Sequence, residues 1–291
     1  MALIVAIACT QSQFTLPSRL CSAKPTKSDI NKPNMNSLPF AYLIPICIIA
    51  LYLILKKKKP KIDPLTDTDK KILDDYVAYY HNLDSTDKLR FEEKVATFFA
   101  TVKIEPVGLE MTTLDELLIA SSAVIPIFGF TDWQYKNLST VLLYPDTFNK
   151  DFQFEGGERQ IMGMVGSGYM NGQMILSRSA LRHGFSKSAG KENTAIHEFV
   201  HLLDKSDGAT DGVPENLMAH EYTLPWIKMM HEEMQKIEDN KSDINPYAIT
   251  NQAEFFAVVS EYFFEKPDLL KDKHPDLYHQ LTRIFSQQPA G

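Results

Sequence analysis

The chain has 291 residues with 30 Lys/Arg, 37 Asp/Glu and three cysteines. Nine of the bases and one of the acids fall in residues 1–61, leaving the remainder with 21 bases, 36 acids and a formal charge of −15. An acidic body excludes a nucleic-acid binder, which needs a positive footprint. Cys9, Cys21 and Cys47 all precede residue 60, so the rest of the chain has no disulfide framework.

Residues 1–37 show no periodic pattern beyond a short apolar start and read as a disordered tail or an over-extended start, with Met35 as the alternative initiator. Residues 38–55 form eighteen uncharged, mostly apolar positions. Together with Lys56–Lys59 and Lys61, they suggest a single uncleaved transmembrane helix, followed by a basic juxtamembrane linker over 56–64. The lysine cluster predicts a membrane protein with its main domain, 65–285, on the cytoplasmic side, and a short tail at 286–291.

Within that domain, helices are expected at about 67–82, 86–100 and 112–128, where Leu114, Leu117, Leu118 and Ala120–Val124 pack inward. A β-rich middle follows, with strands at 139–144, 160–165 and 172–177 and a turn at 155–158. Gly163, Gly166 and Gly168 have no Lys-Ser/Thr after them, so they read as a bend between strands rather than a phosphate loop. Helices at about 215–239 and 251–265, and a short one from 275, complete an α+β pattern without βαβ alternation.

The chemistry is carried by His197-Glu198-Phe199-Val200-His201. On a helix, histidines four apart share one face, the spacing at which two imidazoles hold a zinc ion. The glutamate between them stands beside the metal and can take a proton from water. Apolar neighbours Ala195, Ile196, Phe199, Val200, Leu202 and Leu203 mark the helix as buried, where unpartnered histidines are costly. Asp207-Gly208 ends the run.

A third ligand has two routes. Asp207 lies six residues after His201, but the turn this requires calls for glycine where Asp204 stands; Asp204 reads instead as an acceptor for a ligand ring N–H or as a solvated helix end. The other route is Glu254 in the later helix, which shares a face with Glu261 two turns on. Asn251-x-x-Glu254 is also a capping-box pattern, so spacing leaves Glu254 open between ligand and cap. Tyr247, in Asn245-Pro246-Tyr247, sits where a loop enters that helix; His183 and His220 are isolated histidines of the solvated or structural kind.

These blocks carry a resemblance. Ile196 to Asp204, Gly212-Val213-Pro214, Tyr247-Ala248, Ala253 to Val258 and Ser260 to Phe264 fall in the order of the Mlc titration factor A family of zinc peptidases. Arg90 to Glu93, Val107 to Glu110 and Val141 to Pro145 also match, so the likeness spans about 65 to 285. The resemblance implies a zincin-like fold of the gluzincin type, with zinc held by His197, His201 and Glu254. It implies Glu198 as general base, Tyr247 as an oxyanion donor, and peptide or protein substrates. It also implies association with a transcriptional repressor of sugar uptake, a binding role that does not require catalysis. In such a fold an edge strand beside the motif helix pairs with extended substrate; residues 172–177 are the candidate, with a plain core strand as the other reading.

Overall fold

The computed structural model describes residues 61–290, together with Pro45, Cys47 and Ile48. The chain divides into two units, Met1–Lys58 and Lys59–Gly291, and every element below belongs to the second. Side-chain oxygens set where its first helices begin. Thr66 caps α1 (Asp67–Tyr76) in a reciprocal capping box with Asp69. A short α2 (Ala78–His81) follows, so the single helix expected at 67–82 is broken. The break is Val77, whose extended backbone turns the chain and buries its own side chain with Leu73 and Tyr80.

Asp84 caps α3 (Ser85–Thr101), which leads into β1 (Lys103–Pro106). Thr112 and Asp115 form a second capping box at α4 (Thr113–Ile127). Every residue of α4 from Leu117 to Ile127 is buried, and such a helix belongs at the centre of a domain. Its two serines survive there because their hydroxyls donate to the carbonyls of Leu117 and Leu118, at 2.7 and 2.9 Å.

Strands β2 (Thr140–Tyr144), β3 (Gly163–Val165) and β4 (Gln173–Ser177) complete a four-stranded sheet in the order β1-β2-β4-β3. The first three in that order are parallel, and β3 runs antiparallel to β4. The class is α+β, as expected, although β1-α4-β2 forms one parallel crossover that the sequence pattern does not announce. Lys103-Ile104-Glu105-Pro106 has too little apolar character to signal a strand, and pairing of Ile104 beside Val141 recruits it. The candidate substrate strand is also corrected. Residues 173–177 are bonded on both sides and have no free edge; the edge strands are β1 and β3, and β3 is the one beside the motif helix.

Six helices follow: α5 (Arg178–Gly184), α6 (Thr194–Asp204), α7 (Thr223–Glu238), α8 (Gln252–Glu265), α9 (Pro267–Lys273) and α10 (Pro275–Phe285). The helix expected from 215 starts only at Thr223, because Pro225 is tolerated only in a first turn; 3₁₀ turns occupy 215–217 and 220–222. Pro267 and Pro275 open α9 and α10 for the same reason. Trp226, Phe255, Phe256, Phe263 and Phe285 are fully buried and join α7, α8 and α10 into one core with α4 and α6.

The single-pass membrane expectation is corrected. Among the described residues no helix is long and apolar enough to cross a membrane. The stretch 38–55 lies outside the described residues except for Pro45, Cys47 and Ile48. Eighteen helical residues reach about 27 Å, short of the roughly 30 Å hydrocarbon core. This stretch also carries Pro39 and Pro45, which lack the helix N–H. The assignment of the main domain to the cytoplasmic face rested on that span and goes with it.

Candidate metal centre

Asn193 starts the motif helix α6. Its Oδ1 accepts from the Ile196 N–H at 3.2 Å, its own N–H donates to Glu261 Oε2 at 2.5 Å, and its Nδ2 donates to Glu265 Oε1 at 2.8 Å. The helix is therefore aimed by α8 before its first turn is complete. One turn along, His197 and His201 stack on one face with ring centroids 4.7 Å apart and planes at 84°. On α8, Asn251 caps the helix by accepting from the Glu254 N–H at 3.0 Å. The Glu254 side chain does not return to the cap; only half of the capping box forms. Its carboxylate turns to the histidines.

Three atoms converge. His197 Nε2 lies 2.9 Å from Glu254 Oε2 and 3.1 Å from His201 Nε2, and His201 Nε2 lies 3.4 Å from Glu254 Oε2. Donors at the usual 2.0–2.1 Å from a tetrahedral zinc are about 3.3 Å apart, so the triangle is one face of such a site. His197 Nδ1 lies 2.7 Å from Glu261 Oε1. A neutral His197 ring donates its proton there, and its Nε2 then presents a lone pair to a carboxylate and to another imidazole. Lone pairs facing one another at these distances are reconciled by a cation between them, either a proton on His197 or a metal ion in its place. Burial opposes charge on His197, yet Glu254 and Glu261 outweigh it and lift its pKa to about 10. Burial likewise pushes Glu254 up, but hydrogen bonds from both histidines hold it at about 2. The residues fit a metal ion, and His197, His201 and Glu254 are the one such cluster among the described residues.

Glu198 is buried beside this triangle. Burial raises its pKa, and the charges of His197 and His201 pull against that. Tyr247 sits on the 3₁₀ turn 246–249, 53% exposed, with its ring centroid 6.2 Å from that of His197. These groups line an open cleft of about 560 Å³, together with Gly163, Val165, Lys205 and Asp211.

Two of these residues were given no part in the site by the sequence reading, which took Gly163 only as a bend between strands. A Cβ at Gly163 would stand 2.6 Å from Glu198 Cγ, so the edge strand can approach Glu198 only through glycine. An isolated glycine inside a strand pattern was the available signal. Lys205 lies at i+8 from His197 on the same helix face, and its Nζ donates to the Gly166 carbonyl at 3.2 Å.

The other candidates lie elsewhere. Asp207 is exposed and caps its own loop, accepting from the N–H groups of Ala209 and Glu215 at 3.1 and 2.9 Å. Asp204 is buried, not a solvated helix end, and accepts from the Gly212 N–H at 2.9 Å. Glu261 braces His197 from behind and takes no part in the triangle. His183 and His220 are exposed and outside the cluster.

Comparison with known proteins agrees with this geometry. A family model described as glucose-regulated metallo-peptidase M90 matches residues 53–286. An uncharacterized protein of Synechocystis sp. is 30% identical over 239 residues, covering 78% of this chain and 86% of its own length. Mlc titration factor A of Klebsiella pneumoniae subsp. pneumoniae is 28% identical over 223 residues, covering 72% and 83%. The protein of the same name from Pectobacterium atrosepticum is 31% identical over 195 residues, covering 63% and 72%. A match over most of the chain, on a helix pair that brings two histidines and a glutamate together, means that this chain belongs to the glucose-regulated metallo-peptidase M90 family.

Proposed function

We propose that this protein is a zinc-dependent peptidase whose metal is held by His197, His201 and Glu254. The observation that carries the reading is the triangle of Nε2, Nε2 and Oε2 atoms with edges of 3.1, 2.9 and 3.4 Å. A zinc ion there supplies Lewis-acid polarisation of a peptide carbonyl and acidifies water. Glu198 acts as general base, taking a proton from the attacking water and returning it to the leaving amine. Its burial raises its proton affinity toward the value such a relay needs. The Tyr247 hydroxyl donates to the oxyanion of the tetrahedral intermediate. Glu261 holds His197 in the tautomer that leaves Nε2 free. Extended substrate lies along the open edge of β3, which adds main-chain hydrogen bonds beside Glu198.

A second reading takes its support from the relatives named Mlc titration factor A: this chain binds a repressor of that kind, with catalysis secondary. The intact Glu198 favours the first, because binding alone has no use for a buried base next to a metal.

The test is metal analysis together with peptide hydrolysis. The wild-type protein is expected to hold one zinc per chain, and Glu254→Ala to lose it while Asp207→Ala keeps it. Glu198→Gln is expected to keep zinc and lose hydrolysis by several orders of magnitude, and Tyr247→Phe to keep zinc and slow turnover roughly ten- to a thousandfold. Wild-type rates in Glu198→Gln would end the enzymatic reading.

A further inference from the structure

The cleft contains one cationic group that the reaction does not use. Lys205 is, among the described residues, the one lysine or arginine lining it; the acids there are Glu198, Asp211 and Glu254. Its contact is a single hydrogen bond to the Gly166 carbonyl at 3.2 Å, and it makes no ion pair among the described residues. Of the cleft's own carboxylates, Asp211 is the nearest to it in chain, and it is engaged in its own turn, accepting from the Val213 N–H at 3.1 Å. A long cationic side chain whose ammonium retains unused donors, facing a cleft, has the chemistry of a carboxylate receptor.

Two independent spacings fix where that receptor stands. The Lys205 N–H still donates to the His201 carbonyl, so the residue keeps the helical register of the two histidines. From Glu198 to Lys205 is seven residues, about 10 Å along a helix. Beside it, Gly163 touches Glu198 and Gly166 accepts from Lys205, an advance of three strand residues, again about 10 Å. Helix α6 and the edge strand thus run side by side in the same direction, with the base at one end and the ammonium at the other. A peptide extended along β3 with its scissile bond beside Glu198 brings the group about three residues away opposite Lys205.

We propose that Lys205 is a specificity-determining residue that binds a substrate carboxylate about three residues from the scissile bond. This rests on the peptidase reading above and names its substrate class: peptides carrying an acidic side chain, or ending in a free carboxylate, at that distance. A glutamate side chain and a chain terminus present the same chemistry to an ammonium, so both are tested.

The experiment uses the zinc-loaded full chain and a series of fluorogenic peptides. Each carries Glu or Gln at the third residue on the amino side or the carboxyl side of the scissile bond. A further pair ends at the third residue on the carboxyl side as the free acid or the amide. In one of these pairs the acidic member is expected to have a kcat/KM about tenfold higher, expressed in KM. Lys205→Met should erase that preference, so that the acidic and neutral members of the pair are cleaved at the same kcat/KM, and Lys205→Arg should retain most of it. Glu198→Gln protein, which does not turn peptides over, should bind the acidic member about tenfold more tightly by calorimetry. A wild-type protein indifferent to all three pairs overturns the assignment, as does a Lys205→Met variant that slows acidic and neutral peptides alike. If no peptide is cleaved, the peptidase reading fails, and the calorimetric comparison of Lys205→Met in the Glu198→Gln background decides Lys205 by itself.

Discussion

At the scale of single residues, the site depends as much on a missing side chain as on those present. Gly163 lets β3 run against Glu198 with no intervening Cβ, and any Cβ there would come within 3.0 Å of Cγ, Cδ and Oε1 of Glu198. Glu198 is buried apart from its face on the cleft, so it can make room only by leaving its place beside the histidines. Gly163→Ala is therefore expected to displace Glu198, the proposed base, while leaving His197, His201 and Glu254 in place. Turnover should drop by about ten- to a hundredfold, since a misplacement near 1 Å costs on that order. Zinc content should stay at the wild-type level. Steady-state kinetics with metal analysis on the same preparation checks this; loss of zinc with full specific activity per zinc would contradict it.

At the scale of elements, the positions of α4 and α5 are coupled through charge as well as packing. Asp115 is fully buried in the first turn of α4, where it completes the capping box. It also binds α5, with Arg178 at 2.9 Å and Arg182 at 2.8 Å. Burial pushes its pKa up, but Arg182, Thr112 and Arg178 outweigh that and hold it below the ordinary value. Asp115→Asn removes a negative charge that two cations and a helix N-terminus share. We expect a loss of about 2–4 kcal/mol, because breaking such a pair leaves its partners uncompensated. The decrease in urea midpoint at unchanged m-value measures it. A midpoint within error of wild type would show that α4 and α5 are joined by apolar contacts alone.

At the scale of the whole molecule, stability against pH follows from where burial and charge disagree. Asp243 accepts from Lys191, Lys273, Tyr262 and His274, at 2.6 to 3.0 Å. Burial pushes its pKa up, but these partners hold it well below the carboxylate range. Its contribution is present at neutral pH and is lost as the pH falls through that depressed value. Glu265 runs the other way: burial lifts it to about 7, against the hydrogen bond from Asn193. The folded state then holds a proton that the unfolded chain releases above its ordinary value of 4.5. The stability from that proton is present below 4.5 and is lost as the pH rises to 7. Glu265→Gln keeps the shape and removes the titration. Its Tm relative to wild type is expected to rise between pH 5 and 8, by the equivalent of about 1–3 kcal/mol. A constant difference across that range, at fixed zinc, would refute this account of Glu265.

How much of this was legible depends on the range of the interaction involved. His197, Glu198 and His201 are readable because i, i+4 spacing is a local property of a helix, the same in any fold. The caps at Thr66 and Thr112 and the first-turn prolines are local in the same way, yet the sequence reading named only the Asn251 pattern and ran the 215–239 helix through Pro225. Glu254 was not settled by spacing, since cap and ligand share the same pattern; the approach of α8 to α6 gives its carboxylate a destination other than its own helix start. Tyr247 came from resemblance alone, and Glu261 only as one carboxylate of a pair. The amino-terminal span was read from hydropathy, which measures transfer of side chains and says nothing of whether eighteen residues with two prolines make a spanning helix. β1 was invisible because its four residues owe their strand to β2 beside them. The same holds for Gly163 and Lys205, whose meaning lies in what stands across the cleft. The chain by itself determined the pairing of His197 and His201 on one helix face with Glu198 between them, because that spacing is written in neighbouring residues. Only the tertiary structure decided which carboxylate joins the histidines, which strand keeps a free edge and what lies three residues along it, because those are distances between elements far apart in sequence.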